Sequence, residues 1–356
     1  MKKQIAFSLV LVLMLSLLAG CAGTAVVYLN DCTCPTDGTT PTTPTTPTTP
    51  PAPSNPPAEG AVETGLAIVS NASKSVDASR AEYDVTLVAV TVDNNGVIEQ
   101  CIIDSIGTAV EFNNKGVVTK VPATIATKNE LGDSYGMINA SGIKKEWYQQ
   151  AAALADYAEG KTVDQLKNGD ITNGYATEGS DLASSATIYL GGYVSAIEVA
   201  VNNAKHLGAM AGDELRLAAV PSASGTNATA DKKGVAQLDV DVTALTVKDG
   251  MITSCYIDSL QAKVEFDTTG AIKSDISGFK TKNELGESYG MVAWGGATYE
   301  WNVQAANFAA YVTGKTADEV AGIAVNEGTK PTDADLSAGV TIAIGGFQAL
   351  IAKAMK

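Results

Sequence analysis

The chain has 356 residues, 45% of them hydrophobic and 18% charged, and carries a formal net charge of −15 without any basic stretch. That balance excludes nucleic acid and anionic lipid surfaces as charge-held partners. A lone histidine, His206, leaves histidine-based catalysis and metal binding almost no material.

Lys2 and Lys3 precede an apolar run from Ile5 to Leu18, followed by Leu18-Ala19-Gly20-Cys21. This layout predicts a secretory signal peptide over 1–20, and the run is short of the roughly 20 apolar residues a spanning helix needs. The four residues ending in Cys21 resemble the bacterial lipobox, which implies a diacylated Cys21 as the first residue of the mature chain. The alternative is an ordinary secreted protein cut near Ala22. Two acyl chains give stable membrane attachment, and loss of Lys2 and Lys3 makes the net charge −17. Within 21–59, the stretch from Pro35 to Pro57 is nearly all Pro, Thr, Ser, Asn and Ala, so it has no apolar surface to bury and reads as a tether. In polyproline II form it reaches on the order of 70 Å. Cys32 and Cys34 form no Cys-x-x-Cys pair.

The rest is a tandem duplication, expected as two domains over 60–208 and 209–356. Lys128-Asn129-Glu130-Leu131-Gly132 recurs at Lys282-Asn283-Glu284-Leu285-Gly286, and Ser134-Tyr135-Gly136-Met137 recurs at Ser288-Tyr289-Gly290-Met291. Cys101 and Cys255, Asp104 and Asp258, and Trp147 and Trp301 share the same offset of 154 residues. A repeat this long is a domain and not a solenoid unit. The pattern within each copy is α+β. Alternation over Tyr83 to Val92 and Val97 to Asp104, around Asp93-Asn94-Asn95-Gly96, predicts a hairpin. A third strand is expected near Thr108 to Phe112. Leu238 to Val247, Met251 to Asp258 and Ala262 to Phe266 are the counterparts. Glu146 to Glu159 predicts a helix with Trp147, Ala151, Leu154 and Ala158 on one face and Gly160 closing it. Thr162 is placed to cap a short helix. Ala186 to Leu190 reads as β-like, broken by Gly191-Gly192 before a helix over Tyr193 to Ala204. Cys101 and Cys255 read as core residues, and His206 as a solvated linker residue.

Near the end of each copy lie Asp181-Leu182-Ala183-Ser184-Ser185-Ala186-Thr187-Ile188 and Asp335-Leu336-Ser337-Ala338-Gly339-Val340-Thr341-Ile342. They resemble the Asp-x-x-Ser/Thr-Gly/Ser-Ala-Thr signature of FMN-binding domains, whose last Thr is esterified to the FMN phosphate by a flavin transferase that uses FAD. The first copy fits well. The second has Ala338 where the pattern wants Ser or Thr, and Val340 where it wants Ala. Together with Lys-Asn-Glu-Leu-Gly-x-Ser-Tyr-Gly-Met, Trp-x-x-Gln-Ala and Gly-Lys-Thr, the chain past the tether resembles the Gram-positive extracellular electron-transfer flavoproteins. The FMN-carrying subunits of sodium-pumping quinone reductases and Rnf complexes are more distant kin. The resemblance implies two FMN groups, covalently held by Thr187 and Thr341. It also implies a place on the extracellular face of the cell membrane, with electrons passing from membrane NADH:quinone components to acceptors such as ferric iron.

Transfer of a flavin to a Thr hydroxyl needs an exposed segment that a second protein can reach, and small residues such as Ser185, Ala186 and Gly339 permit that. Asp181 and Asp335 are candidates to orient the hydroxyl or a metal during transfer. Leu182, Ser184, Leu336 and Val340 complete the motif. The Gly pairs at 191 and 345 are either a phosphate-binding helix start or simply a turn. For the ring, Tyr135, Gly136, Met137 and Trp147, with Tyr289, Gly290, Met291 and Trp301, are the candidates, against plain core packing. Leu131-Gly132 and Leu285-Gly286 are candidate lining backbone, and Lys128 and Lys282 could pair with phosphate or stay solvated. A surface lipoprotein that binds a wall polymer or small solute without redox activity fits the charge and tether equally well.

Overall fold

A computed structural model describes residues 58–356. The expected signal peptide, the expected lipid anchor at Cys21 and the expected tether from Pro35 to Pro57 lie outside these residues.

The described chain is a mixed α+β structure with antiparallel sheets. The first sheet has the order β1-β2-β3-β4, with β1 over Glu63–Asn71, β2 over Arg80–Val92, β3 over Ile98–Phe112 and β4 over Val118–Lys120. Helices α1 (Lys128–Leu131), α2 (Trp147–Ala158) and α3 (Val163–Lys167) follow. A short ribbon of β5 (Ile171–Thr172) and β6 (Tyr175–Ala176) then precedes α4 (Gly191–Asn202). The second half repeats the plan. Strands β7 (Glu214–Thr226), β8 (Gly234–Lys248) and β9 (Met251–Phe266) form a sheet in that order. Helices α5 (Lys282–Leu285), α6 (Trp301–Val312), α7 (Ala317–Ala321), α8 (Ala334–Gly339) and α9 (Gly345–Ala354) complete it.

The hairpins form where alternation and turn chemistry place them. Asp93 Oδ1 accepts from Asn95 N and Val97 N at 2.8 Å each, closing the first turn. The second hairpin has a shorter turn, since Val247 pairs with Ile252 where Val92 pairs with Ile98, and the same register shift occurs beside each. The expected third strands are not separate elements. Thr108 to Phe112 and Ala262 to Phe266 continue β3 and β9, because the Ser105-Ile106-Gly107 step stays paired with Thr86, Val85 and Asp84, and Ser259-Leu260-Gln261 with Asp241, Val240 and Asp239. A strand is also added at each sheet's edge, β1 and β7.

Residues on the two faces of each sheet go to different cores. On β2, Tyr83, Val85 and Leu87 face the other sheet, while Val88, Val90 and Val92 meet α2 and α4. The layers are therefore helices, sheet, sheet, helices, and the two halves share the central core. Phe112 and its counterpart Phe266 stack on one another at 4.0 Å with planes 5° apart. Tyr83 Oη donates to Ala236 O at 2.7 Å across the same interface. Gly65 lets β1 approach α4, since a Cβ there would lie 2.1 Å from Ala200 O.

Helix α2 spans the predicted segment. Glu146 and Gln149 form its capping box, and Trp147, Ala151, Leu154 and Ala158 are buried as expected. Thr162 caps α3 as expected. Cys101 and Cys255 are buried in the helix-facing cores. Burial pushes both thiols up, that of Cys255 to about 12, which leaves them protonated. His206 is exposed, with Nε2 3.3 Å from Glu63 Oε1.

Candidate functional site

The segment that carries Thr187 is not a strand, contrary to the β-like reading of 186–190. Leu182–Ser184 form a single 3-10 turn, and the chain then runs irregularly to α4. In the second copy the equivalent turn grows into α8, because Asp333 caps it by accepting from Asp335 N and Leu336 N; the first copy has Gly179 at that place. The alternation that suggested a strand comes from anchoring. Leu182, Ala186 and Leu190 point into the core, as do Leu336, Val340 and Ile344, while Ser184, Thr187 and Thr341 are exposed.

A buried glutamine takes the place of a strand partner. Gln150 on α2 is fully buried, and its Oε1 accepts from Thr187 N at 2.8 Å, Thr187 Oγ1 at 3.3 Å and Ile188 N at 3.2 Å. Its Nε2 donates to Lys145 O at 3.0 Å and Ser141 Oγ at 3.2 Å. Gln304 repeats this on Thr341 N at 2.8 Å, Thr341 Oγ1 at 3.2 Å and Ile342 N at 3.1 Å, with Nε2 donating to Tyr299 O at 2.8 Å. Each threonine hydroxyl thus donates to an amide oxygen while its residue stays exposed to solvent. As a nucleophile such a hydroxyl needs a base from elsewhere to take its proton, since an amide oxygen is not one.

Of the other candidate residues, Met137 meets the clamp directly, its Sδ 3.6 Å from Gln150 Nε2. Trp147, one turn before Gln150, is buried, and its Nε1 donates to Tyr193 Oη at 3.0 Å. Lys128 Nζ sits 4.9 Å from the Trp147 ring centre and 5.1 Å from that of Tyr135, and Lys282 Nζ sits 4.7 Å from Trp301 and 5.3 Å from Tyr289. These lysines are cations stacked on aromatic faces, an arrangement that holds them in place. Met137 packs against the first helix-facing core and Met291 against the second. Glu146 accepts from Met137 N and Ile138 N, and Glu300 accepts from Met291 N and Val292 N. Gly132 and Gly286 have φ +49°, and Gly136 and Gly290 have φ +79° and +82°. Such values favour glycine, so the Leu-Gly and Tyr-Gly-Met loops are shaped by backbone. Leu131, Tyr135 and Ile138 are left exposed beside them. Asp181 and Asp335 are exposed at the starts of their turns. Gly191-Gly192 and Gly345-Gly346 form the first turns of α4 and α9, with Gly174 O accepting from Leu190 N and Gly191 N.

Four features escape the sequence reading. Gln150 and Gln304 stood in the shared Trp-x-x-Gln pattern, yet a helical glutamine carries no mark of its role. Tyr175 and Tyr189 pack edge to face at 5.3 Å beside Thr187, both about half exposed. Trp294, 89% exposed, stands in the Met291 loop of the second copy only. The fourth is Asp104 with Asp258, nearly buried carboxyls that accept from Asn129 N and Asn283 N at 3.0 Å each. Burial raises both, Asp258 to about 6.

None of the family models, curated proteins and solved structures compared with the chain matches it. Among the described residues, no helix is long and apolar enough to cross a membrane.

Proposed function

We propose that the chain is a lipid-anchored electron carrier on the extracellular face of the cell membrane, built of two tandem FMN-binding domains after a Pro/Thr tether. One FMN is held by phosphoester on Thr187 and one on Thr341. Electrons arrive from membrane NADH:quinone components and leave to extracellular acceptors such as ferric iron.

The observation that carries this reading is the repeated clamp: two exposed motif threonines, each gripped through backbone and hydroxyl by a buried glutamine. A binding module has no need to present a threonine oxygen in this way twice. The residues at hand also suit the group. In the first copy Lys145, bonded to Ser185 Oγ, supplies a cation for a phosphate, and the exposed faces of Leu131, Tyr135 and Ile138 supply apolar cover for a flat ring. Flavin transferase is the partner for loading, in which the Thr oxygen displaces AMP from FAD and its proton passes to a base of the transferase. When bound, the flavin supplies reversible electron uptake. The chain's own residues fix the attachment point, exclude water from the inner side of the site and set the local charge.

The test compares the chain expressed with and without flavin transferase, alongside T187A, T341A and the double variant. Yellow colour that persists on unfolding is expected only with the transferase, halved in each single variant and absent in the double. Colour lost on unfolding, or present in the double variant, overturns covalent attachment at these threonines.

A further inference from the structure

The two sites carry different charge. In the first copy, Lys145 Nζ donates to Ser185 Oγ at 3.2 Å, two residues from Thr187. The second copy has Tyr299 and Gly339 at the equivalent places. Asp84 on β2 and its counterpart Asp239 on β8 are shared, since they pair with Gly107 and Gln261. Lys74, from the β1–β2 connection, binds Asp84 at 2.9 Å and lies within electrostatic range of Tyr135 and Tyr193. No lysine bridges to Asp239 among the described residues. Two residues along the same face, the first copy has Thr86 and the second Asp241. Asp239, Asp241 and Asp258 lie within electrostatic range of Lys282 and, with the exception of Asp258, of Tyr289 as well, and Asp241 Oδ2 sits 3.5 Å from where a Cβ would stand at Gly346. Lys263 offsets one of these charges.

We infer that, on the flavin reading above, the two groups have unequal reduction potentials, with the group on Thr341 the lower, so that electrons settle first on the group at Thr187. Reduction adds two electrons and one proton to each ring, and so one negative charge. Lys145 beside Thr187 and Lys74, which neutralises Asp84 near Tyr135 and Tyr193, stabilise that charge at the first site, whereas Asp239 and Asp241, offset in part by Lys263, oppose it at the second. The preference is at least about tenfold, which is about 30 mV for a two-electron couple. The chain is thereby polarised: a donor is best served at the second copy and an acceptor at the first.

The experiment uses the full chain loaded by flavin transferase, with intact mass counted first. T341A carries only the first group and T187A only the second. Each is titrated with dithionite against a potential indicator at low salt. The expected result is a lower midpoint for T187A. Asp241→Thr in the T187A background raises its midpoint, and Lys74→Ala, an exposed change that spares the core, lowers that of T341A. Added salt narrows the gap, because Lys74 is exposed to solvent. Equal or inverted midpoints in variants that each carry one adduct overturn the polarity while leaving the flavin reading intact. Midpoints unmoved by both charge changes overturn its cause. Absence of any adduct overturns the flavin reading itself.

Discussion

Replacing Gln150 by alanine isolates the clamp. The change leaves Thr187 N and Ile188 N without their acceptor and Lys145 O without its donor. A polar group stripped of its partner costs about 1–3 kcal/mol where water cannot return. Thr187 is exposed and can be rehydrated, whereas Gln150 itself is fully buried and leaves a cavity. A net loss of about 3 kcal/mol follows, lowering the melting temperature by roughly 6 °C in a chain of this size. More telling is the effect on loading, since the segment would sample many conformations in place of one. Peptide mass spectrometry after co-expression with transferase should show Thr187 modification falling at least about tenfold, the equivalent of 1.4 kcal/mol of lost positioning, while Thr341 on its own Gln304 is unchanged. Wild-type modification of Thr187 together with a melting temperature within roughly 1 °C of wild type would refute the clamp.

Phe112→Ala should cost about 3–5 kcal/mol, and because Phe112 stacks on Phe266, a calorimetric scan should show both halves destabilised together. An upper transition unmoved by the change would mean independent halves. Asp258 is held above its ordinary value at about 6, chiefly by burial, so the fold binds a proton more tightly than the unfolded chain. Its contribution is present at low pH and is lost as pH rises from about 4 through about 6. Asp258→Asn, followed by urea unfolding across that window, should flatten the fall. Gly132→Ala, at φ +49° with ψ −126°, should cost at least about 1 kcal/mol, measured by the urea midpoint, and an unshifted midpoint would show the loop is not held by that backbone.

The hairpins and α2 were legible because local signals agree with packing: Asp93-Asn94-Asn95-Gly96 closes its own turn, and Trp147, Ala151, Leu154 and Ala158 fall on one face. Strand β7 was not, since Pro221 and the Ser-Ala-Ser-Gly that follows read as loop. Pro221 is tolerated there because β7 is an edge strand. Residues 186–190 misled for a related reason: burial alternates along any chain that is pinned at intervals, and here the pins are Ala186 and Leu190 while the hydrogen bonds go to a side chain. The shared core lay beyond local pattern as well. Apolar residues on both faces of β2 announce two buried surfaces, yet only the fold reveals that one of them belongs to the other half. Of the candidate site, the exposure of the two motif threonines was expected and is found. The glutamines that hold them were not, because their role depends on contacts 37 residues away in sequence.

The central claim is covalent attachment at two places, and intact mass of the chain purified after co-expression with flavin transferase tests it most directly. Two added FMN phosphoesters, one on the peptide containing Thr187 and one on that containing Thr341, are the predicted result. A mass equal to that of the bare polypeptide, with transferase shown to be active on another substrate in the same cells, would contradict it.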